Sequence, residues 1–248
     1  SGIDTTGPVS TKSRSDVNIL MAINPNTRKI LLVNTPRDYY VPLSISGGVR
    51  DKLTHAGNYG INVSMDTLEM LYGIDVDYYV RLNFTSFVTI IDTLGGVNVN
   101  SDYSFNAGGY SFVKGNNNLN GAEALAFARE RYSFGEGDRQ RGRNQMAVIQ
   151  AVINKITSPA LLSNYTAILN NISSSIQTNV GNDEISDLVK MQLSDMRGWE
   201  VSSFSVDGTG ASEYTFSMPR QKAYVMYPNE AIVNEAVEMI KGVLEGKN

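Results

Sequence analysis

Two short apolar runs, VNILMAI at 17–23 and ILLVNT at 30–35, constrain the fold more than any other feature of the chain. The intervening NPNTRK is turn-like, so the runs are expected to pair as a hairpin. A strand covered on one face alternates apolar with polar residues. These runs are nearly continuous, so both faces of their sheet must be covered. Asp16 precedes the first run and Pro36-Arg37-Asp38 follows the second, which puts charge just outside a buried sheet.

Helical patterns supply the cover. A helix is expected over 63–72 with Gly73 as its stop, then an alternating strand over 75–83. Phe87, Val88, Ile91 and Leu94 fall at helical spacing within 85–94, before Gly95-Gly96. With a short strand at 97–99 they suggest a βαβ-like unit. A Gly-Gly hairpin over 103–113 and a helix over 121–128 capped by Asn120 follow. Met146, Ile149, Ile153 and Ile156 form an apolar stripe on a long helix ending before Pro159. Further helices are expected over 159–196, strands at 199–206, 214–218 and 222–226, and a last helix over 230–244 capped by Asn229. With 248 residues and no internal repeat or low-complexity linker, one α/β domain is the simplest account. Its architecture is expected to be an α-β-α three-layer sandwich around a central mixed β-sheet.

Composition narrows the chemistry. The chain has no cysteine and one histidine, His55, so disulfides, thiol nucleophiles and multi-histidine metal sites are excluded. His55 itself reads as a structural residue. A net charge of −4 and a pI near 5.1 argue against nonspecific DNA binding, so no nucleic-acid partner is expected. No stretch carries the twenty or so apolar residues of a membrane span.

Against that acidic background, FARERYSFGEGDRQRGRNQ at 127–145 concentrates Arg129, Arg131, Arg139, Arg141 and Arg143. Residues two apart converge only on an extended segment, so Arg129 and Arg131 can act together if the chain there leaves the helix. SFGEGD suits a turn, with Asp138 placed to cap the next helix. On that helix Arg141 with Gln145, or Arg139 with Arg143, share a face, and the stripe does not decide between the pairs. Guanidinium forks and a helix N-terminus suit a phosphate. The ordinary alternative is a solvated surface with Glu130, Glu136 and Asp138 as ion-pair partners.

SGIDT, RSDVNILMAINP, ILLVNTPRDYYV, KLTHAGNYG, DYYVRLNFTSFVTIIDTLGGVNV, LNGAEALAFARER and GDRQRGRNQ, in that order, resemble the extracytoplasmic catalytic domain of the LytR–CpsA–Psr family. The resemblance is to streptococcal capsule-type members among others, and it covers residues 1–145 most clearly. It implies a phosphotransferase that moves a capsule or teichoic-acid-type glycopolymer from a polyprenyl-pyrophosphate carrier to peptidoglycan. Pyrophosphate hydrolysis would be a side activity. It also implies a place on the extracellular face of the bacterial membrane, reached through an N-terminal anchor outside this sequence, of which the chain would be a fragment. A noncatalytic polyprenyl-phosphate binding module, or a regulator of capsule synthesis, is the alternative.

Residue by residue, the resemblance implies catalytic roles for Arg37, Arg129, Arg131, Arg141 and Gln145, favouring Arg141 and Gln145 over the other pair. Arg14 and Lys52 fall on the substrate side, and Arg139 has no implied role. Asp4 and Asp16 would hold a divalent cation, Mg²⁺ or Mn²⁺, because hard oxygen donors are available and soft ligands are not. An isoprenoid tail must be kept from water, and Phe84, Phe87, Val88, Ile91, Ile149 and Ile153 are candidates to line an internal tunnel beside the arginines.

Overall fold

The computed structural model describes residues 1–3, 8–135 and 137–247. The hairpin forms as expected. Strands β2 (Ser15–Asn24) and β3 (Lys29–Thr35) pair antiparallel, with Asn18 opposite Thr35 and Asn24 opposite Lys29. They lie inside a six-stranded mixed sheet together with β1 (Gly2–Ile3), β6 (Val80–Asn83), β11 (Gln177–Thr178) and β12 (Glu200–Ser205). Its order is β11-β6-β1-β2-β3-β12, with β12 parallel to β3 and β1 parallel to β6.

Alternate residues of β3 explain the continuous apolar run. Leu31 and Val33 pack with Leu20, Ala22 and with Val233, Ala236 and Ile240 of the last helix, α9 (Glu230–Leu244). Ile30 and Leu32 pack on the opposite face against Met146 and Ile153 of the long helix α5 (Asp138–Ile156). Helices α1 (Leu53–Ala56) and α2 (Ile61–Tyr72) extend the α9 side, and Gly73 stops α2 in the left-handed region at φ 61°. The result is the expected helix, sheet, helix sandwich.

A second core lies between α5 and the segment made of α3 (Phe84–Thr93), β7 (Val97–Ser101), β8 (Phe105–Ala107), β9 (Tyr110–Phe112), β10 (Gly115–Leu119) and α4 (Gly121–Arg129). Asn120 caps α4 through a reciprocal capping box with Glu123. Strand β7 pairs with β10 in a separate ribbon, so the βαβ-like unit does not close within the central sheet. Residues 75–79 form no strand either, and β6 is confined to Val80–Asn83. Helices α6 (Pro159–Leu162), α7 (Tyr165–Ile172) and α8 (Asn182–Asp195) fill the expected helical region, where α7 packs on α3. The segments expected at 214–218 and 222–226 belong instead to one long hairpin, β13 (Gly208–Thr215) with β14 (Met218–Pro228), turning at Phe216-Ser217. A shorter pair, β4 (Tyr40–Pro42) with β5 (Arg50–Lys52), adjoins it.

His55 is structural. It is buried with Nδ1 2.7 Å from Asp51 Oδ1. The backbone N–H of Lys52 and both the N–H and hydroxyl of Ser217 also donate to Asp51. Burial alone would raise the Asp51 carboxyl, but these donors outweigh it and hold the group below its ordinary range.

Candidate functional site

Strand pairing decides where the charges meet. Because β2 runs antiparallel to β3, Asp16 at the start of one lies near Pro36-Arg37-Asp38 at the exit of the other. Because β12 runs parallel to β3, Ser205 and Val206 reach the same end. The first turns of α5 close over this edge. Gly142 permits the approach, since a Cβ there would overlap the Asn34 side-chain amide. The cleft so formed has a volume of about 410 Å³, and its lining includes Asp16, Arg37, Asp38, Lys52, Arg131, Asp138, Arg139, Arg141, Gln145 and Tyr224.

Five cationic side chains and three carboxylates line it, leaving a surplus of two positive charges in a chain of net −4. Arg37 Nη1 donates to Asp16 Oδ1 at 3.0 Å, and Asp16 also accepts from Thr54 Oγ1 at 3.4 Å. Asp38 is paired with Lys52 and lies 3.6 Å from Arg37 Nε. That Nε is nonetheless buried without a hydrogen-bond partner. Arg141 Nη2 donates to Asp138 Oδ2 at 2.9 Å, and Arg131 Nη1 stands 3.8 Å from the other oxygen.

Burial, together with the neighbouring charges of Arg37 and Arg131, weakens the hold of Arg141 on its proton despite Asp138 and Asp16. Burial acts the same way on Arg37, but Asp16, Asp38 and Asp138 reverse it and leave the net shift upward. Neither arginine deprotonates at ordinary pH. The shift at Arg141 instead marks a buried cation short of negative partners.

The first arginines separate. Helix α4 ends at Arg129, and Glu130 is extended at φ −67° and ψ 134°. Arg129 therefore stays on the helix end, its guanidinium 4.3 Å above the Phe84 ring, and it is not part of the cavity lining. Arg131, beyond the break, reaches the cavity. Glu130 shapes the loop between them by accepting the backbone N–H groups of Tyr132 and Ser133, both at 2.7 Å, rather than serving as an arginine partner there.

On α5 the pairing is also different from either alternative. Arg139, Arg141 and Gln145 all line the cavity, with Arg139 Nη2 3.3 Å from Asp207 Oδ2, whereas Arg143 Nε donates to Gln140 Oε1. Gln145 Nε2 donates to the Ala128 carbonyl and Asn144 Nδ2 to that of Phe127, so α5 satisfies carbonyls at the end of α4 and fixes the arm. Asp138 is the first helical residue and Gly137 takes the N-cap, so the aspartate is not a cap; its carboxylate serves the arginines. Lys52 lines the cavity, Arg14 is exposed and does not, and Asp4 lies outside the described residues.

The six apolar candidates do not share one lining. Phe84 and Val88 line an open groove of about 320 Å³ with Thr85, Thr89 and Leu125, between α3 and α4. Phe87 and Ile91 belong to the core around Phe105 and Phe127, and Ile149 and Ile153 to the core beneath the sheet. Asp38 reaches the site beside Arg37, as its place at the strand exit suggested, whereas Ser205 and Tyr224 join without having been singled out by sequence, because only long-range strand pairing brings them there.

The fold and the site together define a class: an α-β-α domain with an arginine-lined cleft beyond the carboxyl ends of two parallel strands, where ligands of open α/β sheets collect. The LytR_cpsA_psr family model matches residues 1–232, and the chain belongs to that family. It is 38% identical over 178 residues to a Bacillus licheniformis protein named polyisoprenyl-teichoic acid–peptidoglycan teichoic acid transferase TagU, covering 71% of this chain and 58% of the relative. The Bacillus subtilis protein of the same name is 36% identical over 202 residues, covering 80% and 64%. The chain thus spans about six-tenths of these relatives. The crystal structure of B. subtilis TagV superposes with a TM-score of 0.82 at 25% identity, covering 98% of this chain and 94% of the other. TagT bound to LI-WTA superposes at 0.75 with 26% identity, covering 98% and 88%.

Proposed function

We propose that this chain is the catalytic domain of a cell-surface phosphotransferase that moves an anionic glycopolymer from a polyprenyl-pyrophosphate carrier to peptidoglycan. Among the candidate polymers, the names of its relatives favour one of teichoic-acid type. The observation that carries the reading is the cavity itself: Arg37, Arg131 and Arg141 face one space, and the buried Arg37 Nε, 3.6 Å from Asp38, makes no hydrogen bond. A pyrophosphate oxygen supplies an acceptor. Its phosphates also replace Asp138 and Asp16 as arginine partners, releasing carboxylates beside the reacting phosphorus.

Phosphoryl transfer needs position and charge stabilisation more than covalent help from the protein. An acceptor hydroxyl attacks the sugar-side phosphorus, the bridging P–O bond breaks, and polyprenyl phosphate departs with its charge held by the guanidinium groups. The hydroxyl proton passes to a released carboxylate. Arg139, at the rim, meets the polymer side of the donor.

The donor set suits a hard cation. Asp16 presents carboxylate oxygen to the cavity, and Mg²⁺ is commonly held by one or two carboxylates plus substrate phosphates rather than by a full protein cage. Asp16, with Asp4, would hold the ion, which would draw off charge developing on the leaving phosphate. The experiment is incubation with a polyprenyl-pyrophosphoryl glycan and peptidoglycan fragments, read by mass spectrometry. A glycan–phosphodiester–peptidoglycan conjugate is expected. Tight donor binding without conjugate would favour the noncatalytic module.

A further inference from the structure

We infer that Tyr224 forms a sugar-stacking platform at the mouth of the arginine cavity, which reads the first sugar joined to the pyrophosphate. The inference rests on the donor assigned above and names a subsite for it.

Tyr224 sits on β14 and lines the cavity, yet it is 54% exposed. Its ring is held along one edge. Gly210 of β13 lies on the adjoining strand, and a Cβ added at Gly210 would come within 3.0 Å of the Tyr224 Cε2 and hydroxyl and 3.4 Å of Cζ. The hydroxyl-bearing edge of the tyrosine ring therefore rests against Gly210, where a side chain would push it away. That contact takes up an edge of the ring and not a face, and the side chain stays largely exposed beside the cavity.

An aromatic side chain left so exposed beside five cationic groups contributes little to the core. Its placement is specific in chemistry. The π face carries partial negative charge, which attracts polarised C–H bonds as well as cations. A pyranose presents such C–H bonds from one face and hydroxyls from its edge. Next to a pyrophosphate seated on Arg37, Arg131 and Arg141, the group next along the donor is the sugar on one side and the isoprenoid on the other.

Two observations favour the sugar. The same face of β14 continues from Tyr224 to Lys222, whose Nζ lies 5.5 Å over the Tyr214 ring, so the surface beyond Tyr224 is charged and aromatic rather than aliphatic. Arg139 lines the cavity and is ion-paired at 3.3 Å to Asp207, so the pair offers hydrogen-bond partners of both kinds to hydroxyl groups. The apolar groove at Phe84 and Val88 lies elsewhere, between α3 and α4.

The test is calorimetric titration of the protein with two soluble probes, farnesyl pyrophosphate and the same compound carrying N-acetylglucosamine on its terminal phosphate. The sugar is expected to tighten binding by about three- to tenfold, the range of one aromatic contact. Tyr224→Ala should remove that increment and leave farnesyl pyrophosphate affinity unchanged, which also shows the variant to be folded. Tyr224→Phe should keep the increment, since the ring and not the hydroxyl carries it. A sugar increment that survives Tyr224→Ala, or its absence in the parent protein, overturns the platform while leaving the pyrophosphate site intact. A fall in farnesyl pyrophosphate affinity with Tyr224→Ala overturns it in favour of an isoprenoid contact. Failure of both probes to bind the parent would instead overturn the donor assignment beneath it.

Discussion

Arg141 is the position where stability and function are expected to part most clearly. Its side chain is 14% exposed, it is paired with Asp138, and it shares the cavity with Arg37 and Arg131. Replacing it with Met keeps the aliphatic stem and removes the charge. The ion pair lost is to a half-exposed carboxylate that stays 3.8 Å from Arg131, so its loss costs about 0–1 kcal/mol. Relief of a buried cation, disfavoured by burial and two like charges, offsets that cost. The melting temperature should therefore stay within about 4 °C of the parent, at roughly 2–4 °C per kcal/mol for a chain of this size. Transfer should fall by about 10²–10³, the effect of losing one donor aimed at transition-state charge. Thermal shift with inorganic pyrophosphate gives the second readout. Saturating ligand at a hundred times its Kd adds about 2.7 kcal/mol to the parent, and Arg141→Met should lose most of that gain. Arg141→Lys should retain the melting temperature without restoring transfer, because an ammonium cannot supply the fork. A variant that melts far below the parent, or one that still gains the full pyrophosphate shift, would refute this reasoning.

The Asp51 cluster should make the fold acid-sensitive: a carboxyl depressed in the folded state contributes stability above its ordinary value of 3.8 and loses it as pH falls through the lower folded value. Denaturant titrations should show that slope in the parent and not in Asp51→Asn, which should itself cost about 3 kcal/mol by leaving buried donors mismatched. Gly142→Val should force α5 away from Asn34, costing about 1–3 kcal/mol by overpacking and lowering transfer more than pyrophosphate binding; equal transfer rates would show that the close approach is dispensable. Chelation by EDTA should reduce transfer and Mg²⁺ or Mn²⁺ should restore it, with Asp16→Asn raising the metal concentration required; transfer undiminished by EDTA would remove the ion from the mechanism.

What was legible in the sequence follows the range of the interactions. The β2–β3 hairpin was readable because burial on both faces leaves a continuous apolar run, and α4 because Asn120 and Glu123 sit three apart in a local capping box. Local rules failed where a neighbour competed. Asp138 has the chemistry of a cap, but Gly137 takes that position at φ 49° and frees the carboxylate for Arg131 and Arg141. The two-residue spacing of Arg129 and Arg131 correctly required extension for convergence, yet the helix breaks between them and sends only the second to the cavity. Ser205 and Tyr224 had no sequence signal that placed them beside Arg37 and Asp38. They meet through the parallel pairing of β3 with β12 and the return of β14, contacts separated by well over a hundred residues. The strand at 97–99 was right in type but not in partner, since periodicity does not say which edge a strand joins.

The central claim is that an acceptor hydroxyl attacks the sugar-side phosphorus of a lipid-linked pyrophosphate held by Arg37, Arg131 and Arg141. The most direct measurement is the reaction run in water labelled with oxygen-18, with peptidoglycan fragments present and both products weighed by mass spectrometry. Transfer predicts unlabelled polyprenyl monophosphate and an unlabelled phosphodiester conjugate in equal amounts. Label in the lipid phosphate, or a labelled glycan phosphate with no conjugate formed, would contradict it.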